Sequence, residues 1–169
     1  SSDLILREAD QGRVRLDGPM KLPRDVSLPN SPVTDEARAN GRDMTVLALA
    51  EAAQTQSDNL AANLLLGLVG GPAGFTSRLR EAGDTETRLD RLEPELNFVP
   101  AGEVRDTTTP AAMARTVARF LTTDHLSEAA RVTLVDWMVA TKTGQRRLRA
   151  GLQAAQRAEG RGVLRVAAV

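Results

Sequence analysis

The sequence predicts a mainly α fold in one domain, on three observations. Apolar residues recur at helical spacing in one segment after another. Those segments are opened by Ser, Thr or Pro and closed by Gly. Irregular sequence is confined to a Pro-punctuated connector and one long loop. At 169 residues the chain can bury a sizeable core, and 41% hydrophobic with 26% charged residues is ordinary for a globular domain.

In chain order, Leu4, Ile5, Leu6 and Ala9 read as the tail of a helix that stops at Gly12. From Leu16 to Asp43 the prolines at 19, 23, 29 and 32 leave little room for regular structure. Thr45 to Gln54 is a helix with Thr45 as its cap. Ser57 to Val69 is a second helix, apolar nearly all round, which predicts a place at the centre of the domain. Pro72 to Ala82 is a third, stopping at Gly83. A loop from Arg88 to Thr108 follows, and loops of that length inside a compact domain are usually functional. Helices resume at Pro110 to Leu121, Ser127 to Ala140 and Gln145 to Ala158. Val163 to Val169 is strand-like, without an obvious partner.

Several functions are excluded or disfavoured. With 22 basic and 22 acidic side chains the net charge is zero, so there is no electrostatic case for nucleic acid or an anionic membrane. The absence of cysteine removes disulfides, thiol nucleophiles and Cys-ligated zinc. His125 is the only histidine and is read as structural. No metal or cofactor is expected. No apolar run reaches membrane-spanning length, and no signal peptide is visible, although the chain opens mid-pattern.

Chemistry gathers in a few ordered blocks. Ser57-Asp58-Asn59 by itself is an ordinary helix cap. It continues as SDNLAANLLLGLVGGP, and RLDRLEPELN follows from Arg88 to Asn97. The loop closes with Arg105-Asp106-Thr107-Thr108-Thr109-Pro110, and Val135-Asp136-Trp137-Met138, Lys142-Thr143-Gly144 and LRAGL come later. Taken together, over residues 4 to 152, these blocks resemble the class A serine β-lactamases. The fold implied is the helical domain of the penicillin-recognising fold over 1–152, with the α/β domain largely absent and 153–169 a divergent tail.

The resemblance implies hydrolysis of a β-lactam through an acyl-enzyme. A serine of S-x-x-K attacks, and its lysine assists. By motif position Ser57 would relay a proton towards the leaving nitrogen, and Asn59 would hold the substrate's side-chain amide. Glu93, which out of context is a solvated carboxylate, would activate the deacylating water that Asn97 helps to hold. Asp58 would brace the backbone, Arg91 and Asp106 would clamp the loop as an ion pair, and Pro94 is a candidate cis-proline. The family's setting is periplasmic or secreted.

The sequence also departs from that pattern. Its serines stand at 1, 2, 27, 31, 57, 77 and 127, and none is followed three residues later by lysine. A chain that begins just past its nucleophile is expected to be catalytically incompetent. Lys142-Thr143-Gly144 follows Trp137 too closely to be the family's K-T-G strand, and 152–169 contains no lysine. Asn30 replaces the aromatic common at the pocket rim. A helical binding module on the same scaffold is the alternative. A penicillin-binding-protein fragment is a third, which Glu93 argues against. Apolar side chains left uncovered predict a homodimer, because each buried Leu or Val is worth roughly 1.5–3 kcal/mol and a whole domain only about 5–15 kcal/mol.

Overall fold

The computed structural model describes residues 2–143. Seven α-helices, one two-stranded ribbon and a single 3-10 turn (Glu95–Asn97) make up that part: α1 (Ser2–Asp10), β1 (Pro19–Met20), α2 (Pro32–Ala39), β2 (Met44–Thr45), α3 (Val46–Gln56), α4 (Asn59–Leu68), α5 (Gly71–Glu81), α6 (Pro110–Thr122) and α7 (Glu128–Ala140). The expected mainly α architecture is what is found. The expected last helix, the strand-like Val163 to Val169 and the 152/153 boundary lie outside the described residues.

The central helix is α3. It packs against α1, α2, α4 and α7, and its Leu49 and Ala50 are fully buried. Thr45 caps it as expected, with the Ala48 N–H donating to Oγ1 at 3.1 Å. The expectation that the apolar α4 sits at the centre needs correction. One face, with Leu60, Ala61 and Leu65, is buried, but Leu68 is 40% exposed at the end of the helix. An apolar periphery is permitted because much of any protein surface is apolar. Around α3 the core is filled by Leu4 and Ile5 of α1, Leu65 of α4, Phe120 of α6, and Trp137 and Met138 of α7.

The connector is more regular than its prolines suggest. β1 and β2 pair antiparallel, Pro19 with Thr45 and Met20 with Met44. Helix α2 starts with Pro32 in its first turn, where the missing N–H costs nothing. Ser31 occupies the cap position but makes no side-chain cap bond. The Val33 and Thr34 N–H groups donate instead to Asp58 Oδ2, both at 3.0 Å, across 24 or more residues of chain. A cap supplied from so far away leaves no local signal.

Glycine is required at the bend into α5. A Cβ on Gly74 would stand 1.8 Å from the Val69 carbonyl oxygen, so α5 approaches the end of α4 closely, and the two helices meet at 68°. Ser127 caps α7 through the Ala130 N–H at 3.2 Å and is itself held by Asp10, whose carboxylate accepts from the Ser127 N–H and hydroxyl at 2.7 Å each. Beyond α7, the Lys142 N–H donates to the Thr55 carbonyl at 3.0 Å, so the described chain ends beside α3. Thr143 lies in a turn after α7, and Gly144 with the helix expected beyond it lies outside the described residues. Exposed apolar side chains on α3 and α7 include Leu47, Val132 and Val135. Among the described residues no single helix is long and apolar enough to cross a membrane.

Candidate active site

The site grows from the break between α3 and α4. Ser57 ends α3 in a left-handed conformation, φ 58°, which is uncommon for a residue with a side chain. The reversal lets Asp58 cap α4, its Oδ1 accepting from the Ala61 N–H at 2.9 Å. The same carboxylate caps α2 and accepts the Thr34 hydroxyl at 2.8 Å. One buried side chain therefore fixes two helix starts, and α4 begins at Asn59 rather than at Ser57.

A second strand of backbone is stitched to this break. The Asn59 amide donates Nδ2 to the Pro29 carbonyl at 2.8 Å, and its N–H donates to the Asn30 carbonyl at 3.0 Å. The Leu60 N–H donates to Ser31 Oγ at 3.2 Å. Asn30, expected only as a substitute for a rim aromatic, donates Nδ2 to the Ser57 carbonyl at 2.6 Å. Ser57 is exposed, while Asn59 is buried along most of its length.

Residues 88–108 form the other wall. The neck is closed by the Arg88 N–H on the Thr107 carbonyl at 3.0 Å. Inside it, Asp106 Oδ1 accepts from the Asp90 and Arg91 N–H groups at 2.6 and 3.0 Å, and Oδ2 accepts from Arg91 Nε at 2.6 Å. The ion pair expected between Arg91 and Asp106 is thus formed. Burial pushes the Asp106 carboxyl up, but these three hydrogen bonds and the guanidinium outweigh it and hold it below the usual carboxylate range. The Glu93–Pro94 bond is cis.

What brings the walls together is Asn63, which sequence reasoning missed. Its Oδ1 accepts from the Glu93 N–H at 2.9 Å, and its Nδ2 donates to the Glu93 carbonyl at 2.8 Å. Asn63 lies four residues after Asn59, so the two amides share one face of α4. That spacing within a helix otherwise rich in Leu was the available signal. The Glu93 carboxylate accepts from Asn97 Nδ2 at 2.5 Å. Burial raises its pKa, the Asn97 hydrogen bond opposes this, and the charges of Glu95 and Asp106 add to the rise. A carboxylate so placed is a better proton acceptor at neutral pH than a free one.

Ser57 and Asn59 thus stand at the start of α4 beside the Asp58 cap, while Glu93 and Asn97 stand on the loop that Asn63 ties to the same helix and that Arg91 and Asp106 brace. Among the described residues no group of three His, Asp or Glu side chains could hold a metal ion.

A helical scaffold with this pair of walls has counterparts. Residues 3–165 match the model of the β-lactamase enzyme family, and the chain belongs to that family, among the class A enzymes. It is 47% identical over 150 residues to β-lactamase FAR-1 of Nocardia farcinica, covering 89% of this chain and 47% of the relative. β-Lactamase L2 of Stenotrophomonas maltophilia is also 47% identical, over 148 residues, with 88% and 48% covered. A solved ancestral class A β-lactamase, reconstructed for Gram-negative bacteria, superposes with a TM-score of 0.85 at 54% identity, covering 90% of this chain and 58% of that one. The chain spans about half the length of the curated relatives it matches.

Proposed function

We propose that this chain supplies one wall of a β-lactam-hydrolysing site, and that the 169 residues alone do not turn over substrate. The observation that supports this most is the double hydrogen bond between Asn63 and Glu93. It ties a carboxylate of raised pKa to the helix face that carries Asn59. In this reading Glu93 takes a proton from the water that attacks the acyl-enzyme, and Asn97 orients that water. Asn59 holds the amide of the substrate's side chain. Ser57 passes a proton to the leaving nitrogen. Asp58, Arg91 and Asp106 position these groups without touching substrate.

The nucleophile has to come from an S-x-x-K, which this sequence lacks. Ser57 is no substitute, because no lysine is near it in sequence to take its proton. Residues 1–152 form the helical domain in this account, with 153–169 divergent. A longer protein carrying it would work in the periplasm or outside the cell, as its relatives typically do.

The test is a chimera in which this segment replaces the matching part of a class A relative that supplies S-x-x-K and K-T-G. The chimera is expected to hydrolyse a chromogenic cephalosporin, and Glu93→Gln to slow deacylation by about 10²–10⁴-fold, so that acyl-enzyme accumulates in the mass spectrum. The isolated chain is expected to form no adduct. A Glu93→Gln chimera that turns over at the parent rate, or a stoichiometric adduct on Ser57 of the isolated chain, contradicts the assignment.

A further inference from the structure

Between α5, α6 and α7, beside the first turn of α1, lies a cavity of about 190 Å³. It is separate from the face of α4 described above. Phe75, Leu79, Val117, Phe120, Leu134 and Met138 make most of its wall, and Leu79, Phe120, Leu134 and Met138 are themselves buried. Met113 lines it while remaining 37% exposed, so the cavity is reached from the side of α6. Gln54 and Asp3 also border it.

One edge is polar and chemically one-sided. Asp84 is buried, and its carboxylate accepts four hydrogen bonds: from the Glu86 and Thr87 N–H groups at 2.9 and 2.8 Å, and from the Thr87 and Thr116 hydroxyls at 2.6 and 2.7 Å. Thr116 therefore commits its only proton to Asp84. Its oxygen keeps acceptor capacity, and among the described residues no donor reaches it. The edge accepts a hydrogen bond and has none of its own to offer there. The same edge is the neck of the long loop, since Thr87 Oγ1 lies 2.7 Å from Thr108 Oγ1.

Size and chemistry together define an occupant. An apolar cavity of about 150 Å³ accommodates benzene, so this one has room for a ring system slightly larger. We propose that the cavity is a binding site for a small planar aromatic molecule bearing one N–H or O–H donor, of the size of phenol or indole. The ring lies among Phe120, Leu134 and Met138, and the donor meets Thr116 Oγ1. Nothing in this rests on the hydrolytic reading.

The chain offers its own reporters, because its four methionines are Met20, Met44, Met113 and Met138. Two line the cavity, and two lie on the distant β1–β2 ribbon. With the 169-residue chain ¹³C-methyl-labelled at methionine, indole is expected to shift the Met113 and Met138 signals saturably, leaving Met20 and Met44 in place. Benzofuran has the same shape with a ring oxygen in place of the N–H, and should bind about five- to tenfold more weakly, one buried hydrogen bond poorer. Thr116→Val keeps the volume and should level the two ligands. The comparison is a ratio within one folded variant, so a general loss of stability does not imitate it. Met113→Trp fills the cavity from its exposed side and should abolish both. No saturable shift at Met113 and Met138, or equal binding of indole and benzofuran to the unmodified chain, overturns the proposal.

Discussion

Asp58 and Asp106 each hold a bend beside the candidate site by accepting backbone N–H groups, yet they sit in opposite settings. Asp58 is completely buried, and its partners are all neutral: Val33, Thr34 and Ala61. Asp106 is paired with a guanidinium and lies within a loop that has no apolar core of its own. The first joins two helices that each pack on α3, so its loss is felt by the whole domain. The second joins two parts of one loop, so its loss is felt mainly there. Stability and site geometry are thus separable properties, held by different carboxylates.

The sharpest way to break this contrast is at Asp58. Asp58→Ala leaves buried donors at two helix starts without a partner, at about 1–3 kcal/mol for each one not rescued by relaxation. The expected loss is about 3–5 kcal/mol in denaturant unfolding. A loss below 1 kcal/mol would mean that water or another acceptor replaces the carboxylate, and that the two walls are not held differently.

Asp106→Asn is expected to act locally. Hydrogen exchange at the Asp90 and Arg91 amides should accelerate by about tenfold or more, while global unfolding shifts by no more than about 1–2 kcal/mol. The pH dependence follows. The folded-state pKa of Asp106 is depressed, so its contribution is present above the unfolded carboxylate value of about 4 and is lost as pH falls through the lower folded value. Acid should therefore open the loop at Asp106, which amide exchange against pH measures.

Glu93 has the opposite sign. Its folded-state pKa is raised, first by burial, so folding favours the protonated form. Stability from this group is present below the unfolded pKa and is lost as pH rises through the folded one. Glu93→Gln should stabilise the chain slightly at neutral pH, by less than about 1 kcal/mol because the group is partly solvated, with the gain vanishing in acid. A thermal melt series from pH 4 to about 8 reads this; destabilisation at neutral pH contradicts it. Smaller still, Asn30→Gly tolerates the φ of 53° but removes the bond to the Ser57 carbonyl. It should cost about 0.5–1.5 kcal/mol and loosen the Asn59 amide in exchange.

How much of this the sequence disclosed depended on the distance over which each signal acts. Thr45, Thr109 and Ser127 cap their own helices, and all three starts are local patterns. The Arg91–Asp106 pair and the cis Glu93–Pro94 bond came from resemblance to a family, not from spacing. Helix α2 was missed because its cap is Asp58, and because Val33 and Ala37 are too few apolar positions to show a period. Asn63 was missed because the second amide of NLAANLLLGL looks like an exposed helix position until a loop some thirty residues later lands on it. The centre of the domain was misplaced onto α4, since hydrophobicity marks what can be buried and not what is.

Asn63 is where the two walls meet, and the account stands on its holding one without holding the other. Amide hydrogen exchange on Asn63→Leu tests this most directly. The predicted result is a loss of protection at Glu93, whose N–H donates to Asn63, with Thr34 and Ala61, both on Asp58, protected as before. Continued protection of Glu93, or an equal loss at Thr34 and Ala61, would show that the loop is not docked through Asn63 or that the two walls are one cooperative unit.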